Sequence, residues 1–425
     1  MKKVLFVTHN YPPKKGASVN RIHSFVKHLP NFKWSPVVLT GTKNSEELVD
    51  ADKSIYRTSN IYLPRLSRFI IRDESIYQPR VIMDPEAKGW REKVLKFLKH
   101  NIIPDSSIGW LPNAIMRGRY ILNNNKIDII FSSSPPQTNH LIASYLSSKY
   151  NIPWIADFRD PWTGQFWVNE GKLRLPIVNK IDKKLESIIC NKCHSITTIS
   201  YGMSAHLDLI TQTEKTVIYN GYDSSEIPIK STKKSKFTIA YTGSLSFKHQ
   251  PIGLFNSLVH LRATNFDVFD NISVTFMGSW DSHLEKLVKK YDLVDKVEYL
   301  GFSDRKEALD LLINSNMSLL IGVKDSNYGV IPSKLFDYIG IGNPIIAYGL
   351  EKEASNIITT HQLGKVFSFE DNEVLSSEYI LKTYRNKSKK IIDLNSDNLS
   401  IYKRVYQAEQ LSKVFDKTLK QTQSN

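Results

Sequence analysis

Cysteine is nearly absent: of 425 residues, only Cys190 and Cys193 carry a thiol. A disulfide framework of the secreted kind is therefore excluded, and the chain reads as cytoplasmic. The two form a lone C-x2-C followed by His194. A zinc site needs four ligands and no second cysteine pair exists, so they read as small core thiols and no metal is expected. No run of 18 or more apolar residues occurs, so no transmembrane helix is expected. The apolar stretch Val4–Val7 behind Met1-Lys2-Lys3 is too short for a signal segment and reads as a first strand. Neither G-x-G-x-x-G nor G-x-x-x-x-G-K-[ST] is found, which weakens dinucleotide-dehydrogenase and P-loop readings. Acid is in short supply, with 42 Asp plus Glu against 57 Lys plus Arg and a formal net charge of +15. That balance suits nucleic acid, an anionic membrane face or a phosphorylated substrate. No helix-turn-helix, zinc-finger or RNP-like pattern accompanies the Lys-rich pieces Lys230–Lys236 and Lys382–Lys390, so nucleic acid is not the expected partner.

What the chain does contain is a recurring short apolar run with helical pattern between. Two strand–loop–helix openings stand out: Lys3–Asn10 leading to a helix from about Ser18, and Phe237–Leu245 leading to a helix from about Pro251. Further runs fit buried strands at Pro36–Gly41, Ile127–Ser133, Pro153–Phe158, His194–Ser200, Lys215–Gly221, Ile272–Gly278, Lys296–Gly301, Met317–Gly322 and Pro344–Gly349. Strands alternating with helices predict an α/β chain of doubly wound parallel sheets. The polar stretch Asp223–Lys236 reads as a linker, placing one domain at 1–222 and a second at 237–395. Residues 396–425 read as a closing helix, with Ile401, Val405, Ala408, Leu411 and Phe415 near helical spacing. Residues 45–119 fit the alternation poorly and read as an insertion, basic from 53 on: thirteen Lys/Arg against six Asp/Glu over Lys53–Arg119. It is either a surface subdomain or an element for a membrane surface or an acceptor.

Four segments carry residues suited to chemistry. In Val330–Gly349, Pro332 suits a first helical turn, Gly340 or Gly342 an end, and Pro344 a stop. The helix start offers unpaired N–H groups to an anion, with Ser333 and Lys334 beside it and Asp337 one turn in, where a carboxylate can take ribose hydroxyls. Behind the strand at Phe237, Gly243 allows close approach of a ligand and Lys248 can pair with phosphate. In the first domain, Tyr11–Gly16 forms a Pro/Gly loop in which Gly16 can lie under a ligand. Ala156–Trp162 places Asp157, Arg159 and Asp160 beyond a strand, where they can bind a hydroxylated acceptor, perform acid–base work, or simply pair with one another. His140 follows the Ser/Pro-rich loop after the strand at Ile127 and is read either as facing the same site or as structural.

Taken in order, NYPPKKGASVNR, SSSPPQTNHLIA, ADFRDPW, ITTISYGMSAHL, VIYNGYD, YTGSLSFK and GVIPSKLFDYIGIGNPIIA resemble the family 4 glycosyltransferases of GT-B type, notably bacterial members that build surface polysaccharides such as lipopolysaccharide. The resemblance spans residues 1 to about 350. It implies two doubly wound Rossmann-like domains facing across a cleft, with a C-terminal helix returning to the N-domain. It implies a retaining transferase, metal-independent and without cofactor, that moves a sugar from a nucleoside-diphosphate donor held by the C-terminal domain to a lipid-linked or saccharide acceptor held by the N-terminal domain. On matching positions, Lys248 holds the diphosphate, Gly243, Ile331, Ser333 and Lys334 line it, Asp337 takes the ribose, Gly16 sits at the donor–acceptor junction, His140 lies near the reacting sugar with Asp157 and Asp160, and Arg21 and Arg159 meet the acceptor. The first acid of the family's E-x7-E pair falls at Gly329, a second glycine after Gly16 is Ala17, and an arginine after Gly243 is Ser244. A GT-B epimerase or a non-catalytic nucleotide-sugar-binding protein is the alternative. The positive charge suits a peripheral position on the anionic inner face of the membrane.

Overall fold

The computed structural model describes residues 1–14, 16–42, 54–60, 97–98, 100–163, 174–228, 236–245, 249–280, 282–323, 329, 331–369, 371, 373–386 and 397–423. They form two compact units, residues 1–218 with 408–425, and residues 219–407.

The first unit is built on a parallel sheet of seven strands: β1 (Lys2–Thr8), β2 (Trp34–Thr42), β3 (Ile55–Ser59), β4 (Ile129–Ser134), β5 (Trp154–Phe158), β6 (Ser195–Thr198) and β7 (Lys215–Val217). Their order is β3-β2-β1-β4-β5-β6-β7, so the winding reverses between β1 and β4. Phe6 lies in register with Val38 on one side and Phe131 on the other. Val4, Leu5, Phe6 and Val7 are wholly buried, as expected of a strand covered on both faces. Each such side chain contributes about 1.5–3 kcal/mol by leaving water. Helices Ala17–His28, Leu111–Asn124, Thr138–Tyr150, Pro176–Lys192 and Tyr201–Asp208 join the strands. The last helix, Arg404–Gln423, brings Phe415 against Trp34 and Phe131, with ring centroids 5.0 and 5.8 Å apart. Cys190 and Cys193 are free, buried thiols in this core, and burial pushes both up in pKa.

The second unit carries six parallel strands: β8 (Phe237–Thr242), β9 (Ile272–Met277), β10 (Val297–Tyr299), β11 (Met317–Ile321), β12 (Ile345–Tyr348) and β13 (Gly364–Phe367). The order is β10-β9-β8-β11-β12-β13, reversing between β8 and β11. The helix Ile252–Thr264 follows β8, Arg305–Ile313 follows β10, and Lys334–Ile341 leads into β12. Gly342 ends that last helix at φ +80°, its N–H returning to the Tyr338 carbonyl.

Three sequence expectations change. The reading of 45–119 as an insertion fails at both ends: Ile55–Ser59 is the edge strand of the main sheet, and Leu111–Asn124 is one of its covering helices. The intervening residues 61–96 lie outside those described, as do 43–53. The first unit closes at Ile218 rather than at 222, because Tyr222 bridges to Lys403 and its carbonyl accepts the Arg404 N–H. Residues 397–407 accordingly go with the second unit rather than with the closing helix. Among the described residues, no helix is long and apolar enough to cross a membrane.

Candidate functional site

In a doubly wound sheet, ligands sit beyond the carboxyl ends of the strands where the winding reverses. In the second unit that edge is the end of β8, and the helix Lys334–Ile341 is tied to it. Tyr338 Oη accepts the Thr242 N–H at 3.4 Å, and Lys334 Nζ donates to Tyr241 Oη while lying 3.8 Å from that ring's centroid. Gly243 has φ +120°, and a Cβ there would come within 2.9 Å of Lys334 Nζ. Glycine thus lets the lysine reach the strand end. Burial alone brings the Lys334 ammonium down to about 7, and among the described residues no carboxylate pairs with it. A buried cation without a counter-ion is an electrostatic demand for an anion.

The expected N–H cradle at the helix start is smaller than the sequence suggests. Leu335 and Phe336 N–H groups turn back to the Pro332 and Ser333 carbonyls at 3.0 and 3.2 Å, and those of Ser333 and Lys334 have no backbone partner among the described residues. Ser333 is exposed and caps nothing with its side chain. Ile331 is buried in the apolar cluster with Leu335 and Phe336, so its side chain lines no ligand site. Asp337 is gripped by Arg305, whose Nη1 and Nη2 donate to its two carboxylate oxygens at 3.1 and 2.9 Å, while Nε holds Glu226 at 2.8 Å. Lys248 lies outside the described residues.

The first unit's edge lies between β1 and β4. Gly16 opens the helix Ala17–His28 with φ +133° and ψ 164°, and a Cβ there would meet nothing within 4 Å. It combines a backbone state side chains avoid with open space. Asp157 contradicts the catalytic expectation. It is wholly buried and takes Arg21 Nη2 at 2.9 Å, Ser133 Oγ at 2.7 Å and Thr197 Oγ1 at 2.8 Å. Burial would raise its carboxyl, but the Arg21 charge, the hydrogen bonds from Arg21 and Ser133 and the Arg159 charge together outweigh that and hold it low. Arg21 is likewise no acceptor group: its side chain is 3% exposed and also donates to the Ile218 carbonyl at 2.9 Å. The two form a structural clamp, and the partner of Asp157 is Arg21 rather than the neighbouring Arg159. His140 is wholly buried too, and its Nε2 has no hydrogen-bond partner among the described residues. Its Nδ1 meets Ser132 Oγ at 2.7 Å, its ring lies 4.5 Å from Phe158, and burial brings it down to about 3, so it is neutral. Arg159 and Asp160 are half-buried at the end of β5. Arg159 braces the loop after β4 through Ser133 Oγ at 3.0 Å and the Pro135 carbonyl at 2.6 Å. Asp160 has no hydrogen-bond partner among the described residues, and burial raises its carboxyl against the pull of Arg159.

No family model and no curated protein matches the sequence. Solved structures do. The chain is similar to sucrose-phosphate synthase from Thermosynechococcus elongatus, at 11% identity over 98% of this chain and 99% of that one, TM-score 0.64. It is similar to Anabaena HepE solved with UDP and glucose, at 12% identity over 98% and 100%, TM-score 0.64. It is similar to WaaG, a glycosyltransferase involved in lipopolysaccharide biosynthesis, at 11% identity over 96% and 95%, TM-score 0.54. The chain has the GT-B fold.

Within that GT-B frame, three residues stand at strand ends where the sequence did not single them out. His9 follows β1. Its N–H donates to Asn139 Oδ1 at 3.1 Å, its ring lies against Gly41, and burial with nearby Lys14 brings it down to about 4. Its place after the apolar run was the available signal. Arg305 carried none, since its partner Asp337 is distant in sequence. Glu351 follows β12 and accepts the Gly329 N–H at 2.8 Å.

Proposed function

We propose that this GT-B chain is a glycosyltransferase that moves a sugar from a nucleoside-diphosphate donor to a lipid-linked or saccharide acceptor in cell-surface polysaccharide synthesis. The observation that carries the reading is Lys334, whose half-buried ammonium at the reversal point of the second sheet meets no carboxylate among the described residues. Its geometry suits a diphosphate: one fixed cation, a glycine edge that admits the phosphate, and two open N–H groups at the helix start. HepE, solved with UDP-glucose and similar in fold, supports the same ligand class. Lys248 supplies a second cation. Asp337 takes ribose hydroxyls on the lone pairs that Arg305 leaves unused.

When the glycosidic bond to the diphosphate breaks, negative charge grows on the leaving phosphate. Preorganised positive potential from Lys334 and the helix start stabilises it most as the bond breaks, which is what accelerates transfer. This does not call on a metal, and an oxocarbenium-like transition state calls on no strong protein nucleophile, in line with a retaining reaction. In the first unit, Gly16, Arg159 and Asp160 with neutral His9 serve the acceptor. Thermal-shift screening with UDP, GDP, ADP and their sugars tests the reading. One diphosphate should raise the melting temperature by several degrees, and its sugar conjugate should yield sugar transfer or slow hydrolysis. No shift with any of them would refute the reading.

The membrane half of the proposal rests on the helix Pro176–Lys192. Ile177, Ile181 and Ile188 are 59%, 41% and 48% exposed, and they share a stripe with Lys184, with Lys180, Lys183 and Lys192 on the same helix. Apolar side chains flanked by lysines suit an anionic lipid surface. The protein should sediment with anionic vesicles at low salt, and Ile177→Glu with Ile181→Glu should release most of it. A wild-type protein that stays in the supernatant removes the membrane from the account and leaves the transferase standing.

A further inference from the structure

Glu351 stands at the carboxyl edge of the second sheet, just beyond β12, and its two carboxylate oxygens differ. Oε2 accepts the Gly329 N–H at 2.8 Å. Oε1 is buried and has no hydrogen-bond partner among the described residues. Leaving a buried carboxylate oxygen unpaired is costly, because its lost hydration is not replaced. The backbone here is tightly packed: Gly329 and Gly349 sit at φ +60° and +61°, and a Cβ on Gly322 would come within 1.9 Å of the Gly349 carbonyl. Leu350, beside Glu351, packs on the same apolar cluster as Ile331 and Leu335. The Gly329 N–H that holds the carboxylate lies five residues before Lys334 in the chain.

An ionised carboxylate only accepts hydrogen bonds. It repels phosphate and attracts the uncharged hydroxyl-bearing part of a ligand. We propose that Glu351 Oε1 accepts a hydrogen bond from a hydroxyl of the donor sugar. The inference rests on the reading of the second unit as a nucleotide-sugar site. The Gly329 N–H holds the carboxylate in place, and the sugar hydroxyl displaces whatever covers Oε1. Specificity follows from polarity: a site built to receive a hydroxyl penalises a sugar that lacks it.

Titration calorimetry on the full chain tests this with UDP against UDP-glucose and GDP against GDP-mannose, using wild type, Glu351→Gln and Glu351→Ala. Glutamine can keep its carbonyl on the Gly329 N–H while turning the other atom from acceptor to donor. Wild type should bind one nucleotide sugar about tenfold tighter than its bare diphosphate. Glu351→Gln should erase that advantage and leave the diphosphate Kd within about twofold. Equal weakening of sugar and diphosphate, or no weakening, would make Glu351 only an anchor for Gly329 and overturn the proposal. So would a wild type that binds the diphosphate and its sugar equally. A wild type that binds none of the four ligands overturns the nucleotide-sugar reading itself.

Discussion

Lys334→Met is expected to abolish most of the thermal stabilisation conferred by a nucleoside diphosphate while raising the melting temperature of the unliganded protein. Both effects have one cause. Among the described residues the ammonium has no counter-ion, and burial brings it from 10.5 to about 7. Replacing it with an apolar side chain of similar length removes a desolvation penalty, worth a few degrees in melting temperature. The same change removes the charge that meets the phosphate, weakening binding by about 10- to 100-fold at the usual strength of a charge-assisted hydrogen bond. The pH dependence carries the sign. Between about pH 7 and 10.5 the unfolded chain holds the Lys334 proton and the folded, ligand-free chain does not. The group's contribution to stability therefore rises with pH across that window. A bound diphosphate restores the proton, so affinity is full below about pH 7 and falls by up to tenfold per pH unit above it. Calorimetry in buffers of different ionisation enthalpy should show proton uptake on binding at pH 8, absent in the variant. An unchanged diphosphate shift in Lys334→Met would place the anion site elsewhere.

Asp157→Asn should be among the most damaging single changes in the first unit. The carboxylate carries the Arg21 guanidinium, Ser133 and Thr197 in a wholly buried cluster. The amide keeps the shape but strands an interior cation, which costs about 3–5 kcal/mol of a total near 5–15 kcal/mol. Trp34, Trp110 and Trp154 are buried in the same unit, so urea unfolding followed by tryptophan fluorescence reads the loss. Adding Arg21→Met should recover part of it, because the stranded charge goes too. The wild-type cluster has its own pH signature. The folded Asp157 carboxyl is held below its ordinary value, so its stabilisation is present above pH 4 and is lost as pH falls through the folded value. A loss under about 1 kcal/mol in Asp157→Asn would contradict the clamp.

That cluster also shows why strand-end chemistry is hard to read from sequence. Asp157 and Asp160 lie three residues apart in one segment, yet one is interior and the other half-buried without a partner. Successive strand residues point to opposite faces, and a loop begins between the two. His140 shows the same difficulty: its place in the helix turns its ring onto Phe158, with Nε2 left without a hydrogen-bond partner among the described residues. At the other site, Tyr241 and Gly243, some ninety residues earlier in the sequence, close around Lys334, whereas Asp337 is held by Arg305.

The interior strands, the parallel winding, the helix from Lys334 to its glycine stop and the C-terminal helix were written in the chain, because apolar runs buried on both faces and turn residues with fixed backbone preferences are local signals. The edge strands β3 and β13 were not, since half-exposed strands of four or five residues carry little apolar pattern. Only tertiary structure decided which charges find partners: Asp157 with Arg21, Asp337 with Arg305, Glu351 with the Gly329 amide, and Lys334 with no carboxylate among the described residues. Charge pairing is settled by distance in space and by exclusion of water, and neither is a function of separation along the chain.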